Sequence, residues 1–175
     1  MLSKNIILSA GSSAKKMQRM AYEIIEHNIG EKQIILAGIK ESGLIIAHKI
    51  KSFLQKIFKG EILVIEISLD KKDPKIISIP VEINFDDKVI IVTDDVSNTG
   101  KTLLYALKPF LNFYPKKIQT LVLVARSHKQ FPVAPDYVGF SVSTGLDEKI
   151  IVETEGKEVV GAYMNSNNSS DVFFS

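Results

Sequence analysis

The stretch VIIVTDDVSNTGKTLLYAL, residues 89–107, contains a TGKT turn that invites comparison with the P-loop of ATP- and GTP-binding proteins. A P-loop has the pattern G-x-x-x-x-G-K-[ST] after a strand. Counted back from Gly100, that pattern requires a glycine where this sequence has Asp95. An aspartate lacks the conformational freedom of glycine and sets a negative charge against the phosphates. The sequence therefore excludes a P-loop.

The same stretch has the order apolar strand, two carboxylates, short polar loop and helix. A helix N-terminus with free N–H groups binds anions, and residues 99–102 supply small or hydroxyl-bearing side chains around it. Asp94 and Asp95 come just before this turn, where they suit sugar hydroxyls or a metal on the same ligand. A phosphate at one end and a diol near the acids describe a ribose 5-phosphate. The alternative is an ordinary strand-to-helix turn that Thr99 caps.

Apolar runs alternate with helical patterns on both sides of this stretch. Helical spacing of apolar residues predicts helices at 12–30, 43–58 and 99–111, the first with Ser12 or Ser13 as its N-cap. Short apolar or β-rich runs predict strands at 33–39, 61–70, 76–83, 89–92 and 118–125. Strands that alternate with helices indicate an α/β fold, a parallel sheet flanked by helices on both faces.

Composition limits the function classes. The chain has 175 residues, which favours one domain, and 45% of them are hydrophobic, enough for a substantial core. The formal net charge of +2 is far below that of a protein that binds nucleic acid by charge alone. Cysteine is absent and no apolar run reaches membrane-spanning length, so we expect a cytoplasmic protein without a membrane partner. Residues 1–164 are predicted to form the domain, and the polar residues 165–175 a mobile tail.

The stretch VIIVTDDVSNTGKT resembles the 5-phosphoribosyl-1-pyrophosphate (PRPP) signature of type I phosphoribosyltransferases. Residues 14–30, 35–50 and 121–139 are similar to blocks of one branch, the bifunctional pyrimidine-operon attenuators and uracil phosphoribosyltransferases. The resemblance implies the type I fold with a small C-terminal hood. It also implies a nucleotide-salvage reaction in which uracil and PRPP give UMP and pyrophosphate, with magnesium carried by PRPP as the cofactor. A homodimer or an assembly of dimers is implied as well.

The resemblance also implies a role for each matching residue. Asp94 and Asp95 would hold the ribose hydroxyls and stabilise the positively charged sugar as pyrophosphate leaves. The 5-phosphate would be held by Val96, Ser97, Asn98, Thr99, Gly100, Lys101 and Thr102. The pyrophosphate loop would consist of Ile39, Lys40, Glu41, Ser42 and Gly43. Arg126 and His128 would lie beside the pyrimidine base and the pyrophosphate, and the stretch from Arg126 to Gly139 would form the hood over the base.

The sequence departs from the branch in two loops around PRPP. The branch has Lys-Thr-Arg-Gly in the pyrophosphate loop, and this chain has Lys-Glu-Ser-Gly at 40–43, so an arginine is replaced and a carboxylate is added. The loop that closes over PRPP is long in the family and carries a Tyr-Arg pair. Here residues 69–74 form a short loop without that pair, and Lys71 and Lys72 are its partial substitutes.

A third departure concerns RNA, the partner of the attenuator branch. The positions matched to its basic RNA surface are Gln18, Tyr22, Lys129, Ala134 and Phe140. Lys129 alone keeps a positive charge there, and each lost phosphate contact weakens RNA binding. The sequence therefore argues against RNA as a partner.

Three functions follow from the sequence. The first is a phosphoribosyltransferase acting on uracil. The second is a regulatory protein that keeps the PRPP or nucleotide pocket with weak or no turnover, which the two altered loops favour. The third is a phosphoribosyltransferase acting on a purine base.

Overall fold

The computed structural model describes residues 4–145 and 148–166 of the chain. In that part of the chain the strands are β1 Asn5–Ser9, β2 Gln33–Ile39, β3 Glu61–Leu69, β4 Ile77–Ser78, β5 Val89–Ser97, β6 Lys117–Arg126, β7 Tyr137–Val142, β8 Glu148–Glu155 and β9 Glu158–Ser166. The helices are α1 Ala10–His27, α2 Ser42–Leu54 and α3 Lys101–Ala106, and a 3-10 helix follows at Lys108–Asn112. None of these helices is long and apolar enough to cross a membrane.

A six-stranded sheet in the order β4-β3-β2-β5-β6-β7 carries the candidate site. All of its pairs are parallel except that between β3 and the short edge strand β4. Strand β2 sends alternate residues into two separate cores. Ile34 and Leu36 pack with α1 and α2, whereas Ile35 and Ala37 pack with α3 and the 3-10 helix. The predicted α/β class, a parallel sheet with helices on both faces, is confirmed.

A second, antiparallel sheet in the order β1-β9-β8 forms the hood. Its buried residues Leu8, Ile150 and Ala162 belong to the same core cluster as α1 and α2. The hood thus combines the first described strand with the last two. The stretch 126–139 does not form it, because Tyr137–Val142 pairs parallel to β6 as an edge strand of the main sheet.

Several predicted element bounds are corrected. Helix α1 begins at Ala10, and its N-cap is Ser9, whose side chain accepts a hydrogen bond from the Ser12 amide. The single helix predicted at 99–111 is divided into α3 and the 3-10 helix, which has a proline in its first turn and so lacks a helical donor there. The strand predicted at 76–83 shrinks to Ile77–Ser78 because Pro80 cannot donate to a ladder. Of the predicted tail, residues 165–166 belong to β9 and the rest lies outside the described residues.

Candidate active site

The candidate site lies where the carboxyl ends of neighbouring parallel strands meet, the usual place for a ligand in an open α/β sheet. Strands β3, β2, β5 and β6 are adjacent in this order and bring four loops to one edge of the sheet. A cavity of about 430 Å³ opens there. Its lining consists of Lys71, Asp94, Asp95, Val96, Ser97, Asn98, Thr99, Gly100, Lys101, Thr102, Leu103 and Ile150.

Asp94 is the buried acid of the site. It follows four apolar residues of β5, and only 1% of its surface is exposed. Burial, first of all, and then the neighbouring charge of Asp95 raise the pKa of this carboxyl from 3.8 to about 7, against the opposing effect of Lys71. One of its oxygens accepts a hydrogen bond from the Asp95 amide at 2.9 Å.

Asp95 has the opposite electrostatic character although it is the next residue. Partial burial alone would raise its pKa, but the Lys71 ammonium and several hydrogen bonds outweigh burial, and the pKa is lowered below 3.8. The Ser42 hydroxyl donates to Asp95 Oδ2 at 2.8 Å, and the Val96 amide donates to Oδ1 at 2.8 Å. The two acids therefore differ: Asp95 is held ionised, and Asp94 titrates near neutrality.

Lys71 joins the two acids. Its Nζ lies 2.9 Å from Asp94 Oδ1 and 3.3 Å from Asp95 Oδ1. Partial burial disfavours the ammonium, but the two carboxylates outweigh this effect and raise the pKa of Lys71. Lys71 was considered from sequence only as a substitute in the closing loop. The signal that places it at the acids is topological, since β3 ends on the same edge as β5 with only β2 between them.

The loop after β5 forms the far side of the cavity. Gly100 has a positive φ of 84°, a conformation that favours glycine, and a Cβ there would lie 2.9 Å from the Val133 carbonyl oxygen. The Thr99 carbonyl accepts hydrogen bonds from the amides of Gln130 and Phe131 at 2.9 and 3.0 Å. The segment after β6 therefore fixes the shape of this loop. Helix α3 has only six residues, so its dipole is short. The amides of the loop after β5 therefore make this side of the cavity suitable for an anion.

The loop after β2 approaches the acids through Gly43. A Cβ on Gly43 would lie 2.6 Å from the Thr93 carbonyl oxygen, so the start of α2 packs directly on the backbone of β5. The Thr93 hydroxyl donates to the Gly43 carbonyl at 2.8 Å and fixes this approach. Lys40 and Glu41 are exposed, so the carboxylate of Glu41, which the branch lacks at this position, lies at the surface.

Arg126 connects three parts of the site. Its Nε donates to Thr144 Oγ1 at 2.7 Å, one terminal nitrogen donates to the Gly145 carbonyl at 3.0 Å, and the other lies 3.3 Å from Asn98 Oδ1. His128 Nε2 lies 2.7 Å from the Thr144 carbonyl oxygen. Arg126 thus links the loop after β5 to the segment that leads into the hood, and it borders a second cavity of about 200 Å³.

Residues 3–158 match the phosphoribosyl transferase domain family. The chain belongs to this family. It is 32% identical over 175 residues to the bifunctional protein PyrR of Enterococcus faecalis, covering 95% of this chain and 98% of the relative. It is 34% identical to the PyrR of Staphylococcus carnosus, over 91% of this chain and 98% of the relative. Membership supports a phosphoribosyltransferase activity, that is, transfer of a pentosyl group.

A solved structure is similar in fold over almost the whole chain. The hypoxanthine-guanine phosphoribosyltransferase of Bacillus anthracis superposes with a TM-score of 0.72 and 18% identity, covering 95% of this chain and 98% of that one. Identity this low shows a shared fold and does not identify the base.

The phosphoribosyltransferase fold brings most of the sequence-predicted residues together. Residues 94–102 line the main cavity, and Ser42 touches it through Asp95. Arg126 borders the second cavity, beyond Asn98. Ile150 of the hood also lines the main cavity, and the sequence analysis missed it because it did not recognise β8 as a strand.

Proposed function

We propose that this phosphoribosyltransferase transfers phosphoribose from PRPP to uracil, giving UMP and pyrophosphate. The observation that carries the proposal is the main cavity, which has two carboxylates at one end and the anion-suited loop 96–102 at the other. That arrangement fits the two polar parts of a ribose 5-phosphate. Uracil is favoured over other bases by the resemblance of residues 14–30, 35–50 and 121–139 to the uracil branch.

In this proposal the two acids act on the sugar. The carboxylates of Asp94 and Asp95 accept hydrogen bonds from the 2- and 3-hydroxyls, and Asp95, which is held ionised, supplies negative charge near the anomeric carbon. A base nitrogen forms a bond to that carbon as the bond to pyrophosphate breaks and pyrophosphate leaves with the bonding electrons. No covalent bond to the protein is required.

Magnesium enters this reaction with PRPP. Within the described residues, no group of three or more His, Cys, Asp or Glu side chains converges, so a site that the protein alone completes is not seen there. A pair of carboxylates together with substrate phosphates is a common way of binding Mg²⁺, and Asp94 and Asp95 fit that donor set. When bound, the ion neutralises the charge of the leaving pyrophosphate.

The pyrophosphate loop, residues 39–43, contributes contacts of a different kind from those of the branch. Ser42 donates to Asp95, so this loop orients an acid of the ribose site. Lys40 is exposed in this loop and is available to an anionic ligand. The exposed position of Glu41 lets its charge be screened by solvent, which supports turnover in spite of the sequence departure.

The base is proposed to lie beside Arg126 and His128, next to the second cavity. Both side chains make hydrogen bonds to the segment 144–145, which orients them without using a base. The purine alternative rests on the fold shared with the hypoxanthine-guanine enzyme. The regulatory alternative rests on the short loop after β3 and on the replacement of an arginine by Ser42.

The test is pyrophosphate release from magnesium-PRPP with uracil, hypoxanthine, guanine, xanthine or orotate supplied separately. We expect release with uracil, and loss of release in the double variant Asp94→Asn/Asp95→Asn but not in the control Asp73→Asn, which alters an exposed acid of the neighbouring loop. Uracil conversion that persists in the double variant contradicts the role of the acids. A purine that outcompetes uracil contradicts the choice of base, and calorimetric binding of PRPP and UMP without release favours the regulatory protein.

A cytoplasmic location and a homodimeric or dimer-based assembly remain predictions. The same holds for the absence of RNA binding. Among the positions matched to the RNA surface, Gln18 and Tyr22 are exposed on α1 and carry no charge, which supports that prediction.

A further inference from the structure

Lys71 occupies the hydrogen-bond acceptors that the proposed function assigns to the ribose hydroxyls. Its ammonium contacts Oδ1 of Asp94 and Oδ1 of Asp95, and the remaining oxygen of Asp95 accepts from Ser42. Three carboxylate oxygens are therefore engaged by Lys71 and Ser42. A sugar that places two neighbouring hydroxyls on the same acids must compete with this ammonium.

The two sides of the contact differ in how easily they can move. Asp94 and Asp95 stand on β5, which is paired on both sides by β2 and β6 in the middle of the sheet. Lys71 stands on the loop after β3, where residues 70–73 are exposed. Its own side chain is 43% exposed. The loop leads only into the two-residue edge strand β4. A ligand that breaks the contact between Lys71 and the acids therefore moves Lys71 and leaves Asp94 and Asp95 in place.

We propose that Lys71 is an internal ligand of the ribose site. Its ammonium holds the short loop 70–76 against the two acids until the hydroxyls of a sugar phosphate displace the ammonium. The inference rests on the proposed function, since it takes Asp94 and Asp95 to be the hydroxyl acceptors. It assigns Lys71 a positioning role that differs from closure over PRPP. The loop is docked on the two acids through Lys71 and is released when ribose hydroxyls take the place of the ammonium.

The test compares two ligands in three proteins. Calorimetry gives the dissociation constants of ribose 5-phosphate and inorganic phosphate for the unaltered chain, for Lys71→Met and for the control Lys75→Met. Lys75 lies on the same loop, is highly exposed and pairs with Asp73 at 3.8 Å, away from the two acids. Both ligands report the general effect of losing a cation from the cavity, and only ribose 5-phosphate has hydroxyls that compete with Lys71.

The expected result is that Lys71→Met increases the preference for ribose 5-phosphate over phosphate by about 10-fold, because charge-assisted hydrogen bonds no longer have to be broken. Lys75→Met should leave this preference unchanged. An equal or smaller preference in Lys71→Met overturns the inference and leaves the proposed function intact. Ribose 5-phosphate that binds no better than phosphate in all three proteins overturns the ribose assignment and the inference together.

Hydrogen exchange in the unaltered chain provides a measurement that does not depend on a variant. We expect ribose 5-phosphate to speed amide exchange in residues 70–76, because the loop loses its contact with the acids, while phosphate leaves exchange there unchanged. Slower exchange with ribose 5-phosphate means that the loop closes on the sugar, and it overturns the inference.

Discussion

Replacement of Asp94 by asparagine should stabilise the folded chain at pH 8, although the residue is buried and assigned to the reaction. Burial and the charge of Asp95 raise the pKa of Asp94 from 3.8 to about 7. A raised pKa means that the folded state binds this proton more tightly than the unfolded state. Ionised Asp94 therefore lowers the free energy of unfolding. This loss of stability is absent below pH 3.8, grows between pH 3.8 and pH 7, and is complete above pH 7.

The magnitude follows from that interval. At about 1.4 kcal/mol per pKa unit, the penalty reaches an upper limit of about 4 kcal/mol at pH 8. An asparagine amide has nearly the same shape and no charge, but its NH2 group replaces an oxygen that can accept hydrogen bonds. We therefore expect Asp94→Asn to raise the free energy of unfolding by about 1–3 kcal/mol at pH 8, and by much less at pH 5.

Urea unfolding followed by circular dichroism between pH 5 and pH 8 measures this effect. The matched control is Asp95→Asn, because the pKa of Asp95 is lowered and its ionised form stabilises the fold. The effect on stability therefore has the opposite sign. Ionised Asp95 adds to the free energy of unfolding above pH 3.8, and this gain is lost as the pH falls through the lowered pKa. Asp95→Asn should therefore destabilise the fold throughout pH 5 to pH 8. An Asp94→Asn variant that is less stable than the unaltered chain at pH 8, or a gain that does not vary with pH, refutes this account.

Three further substitutions test the loops around the site. Gly43→Ala should cost about 1–3 kcal/mol of stability, because its Cβ would lie 2.6 Å from the Thr93 carbonyl oxygen, and urea unfolding measures this loss. Arg126→Lys should raise the KM for the base severalfold with a smaller change in kcat, because lysine cannot reproduce the three hydrogen bonds of the guanidinium, and steady-state kinetics separates the two constants. Ser42→Ala should lower kcat/KM about 10-fold and raise the pKa of Asp95, whose carboxylate loses a donor, as NMR titration of the carboxyl carbon would detect.

Each substitution has a control in the same chain. Gly11→Ala lies in α1, where the nearest atom to its Cβ would be Ser9 Oγ at 4.0 Å, and it should stabilise slightly, so an equal loss in both glycine variants contradicts the steric account. Lys129→Met removes an exposed charge close to Arg126, and an equal rise in KM there would point to charge alone. Ser52→Ala removes an exposed hydroxyl that bonds only within α2, and an equal loss of kcat/KM excludes a specific role for Ser42.

The parallel core of the fold was predictable because its strands are buried on both faces and appear as uninterrupted apolar runs. Strands β2 and β5 are such runs, and the two acids stand where the second one ends. The hood was not predictable in the same way. Strand β1 has only five residues, and β8 mixes charged with apolar residues along an alternately exposed strand, so short segments of the sequence carried little signal.

Site residues that lie on one loop were easier to predict from the sequence than contacts between different loops. The run 94–102 is contiguous and lines one cavity, as expected. The contacts of Ser42 and Lys71 with the acids depend on the order of three strands, and spacing along the chain does not encode that order. The exposed position of Glu41 likewise depends on how α2 begins on the backbone of β5.

The hood sheet has a consequence for the order in which a nascent chain acquires its parts. Strand β1 pairs with β9, and partners such as Leu8 and Ala162 lie about 150 residues apart in sequence, among the most distant pairings in the chain. During translation β1 is made well before β9, so β1 must wait for the residues between the two strands to be synthesised. The parallel core, whose strands follow one another closely, can assemble earlier. Ile150 can therefore join the cavity lining only after β8 and β9 emerge, and Asp94 and Asp95 are in place before that part of the lining.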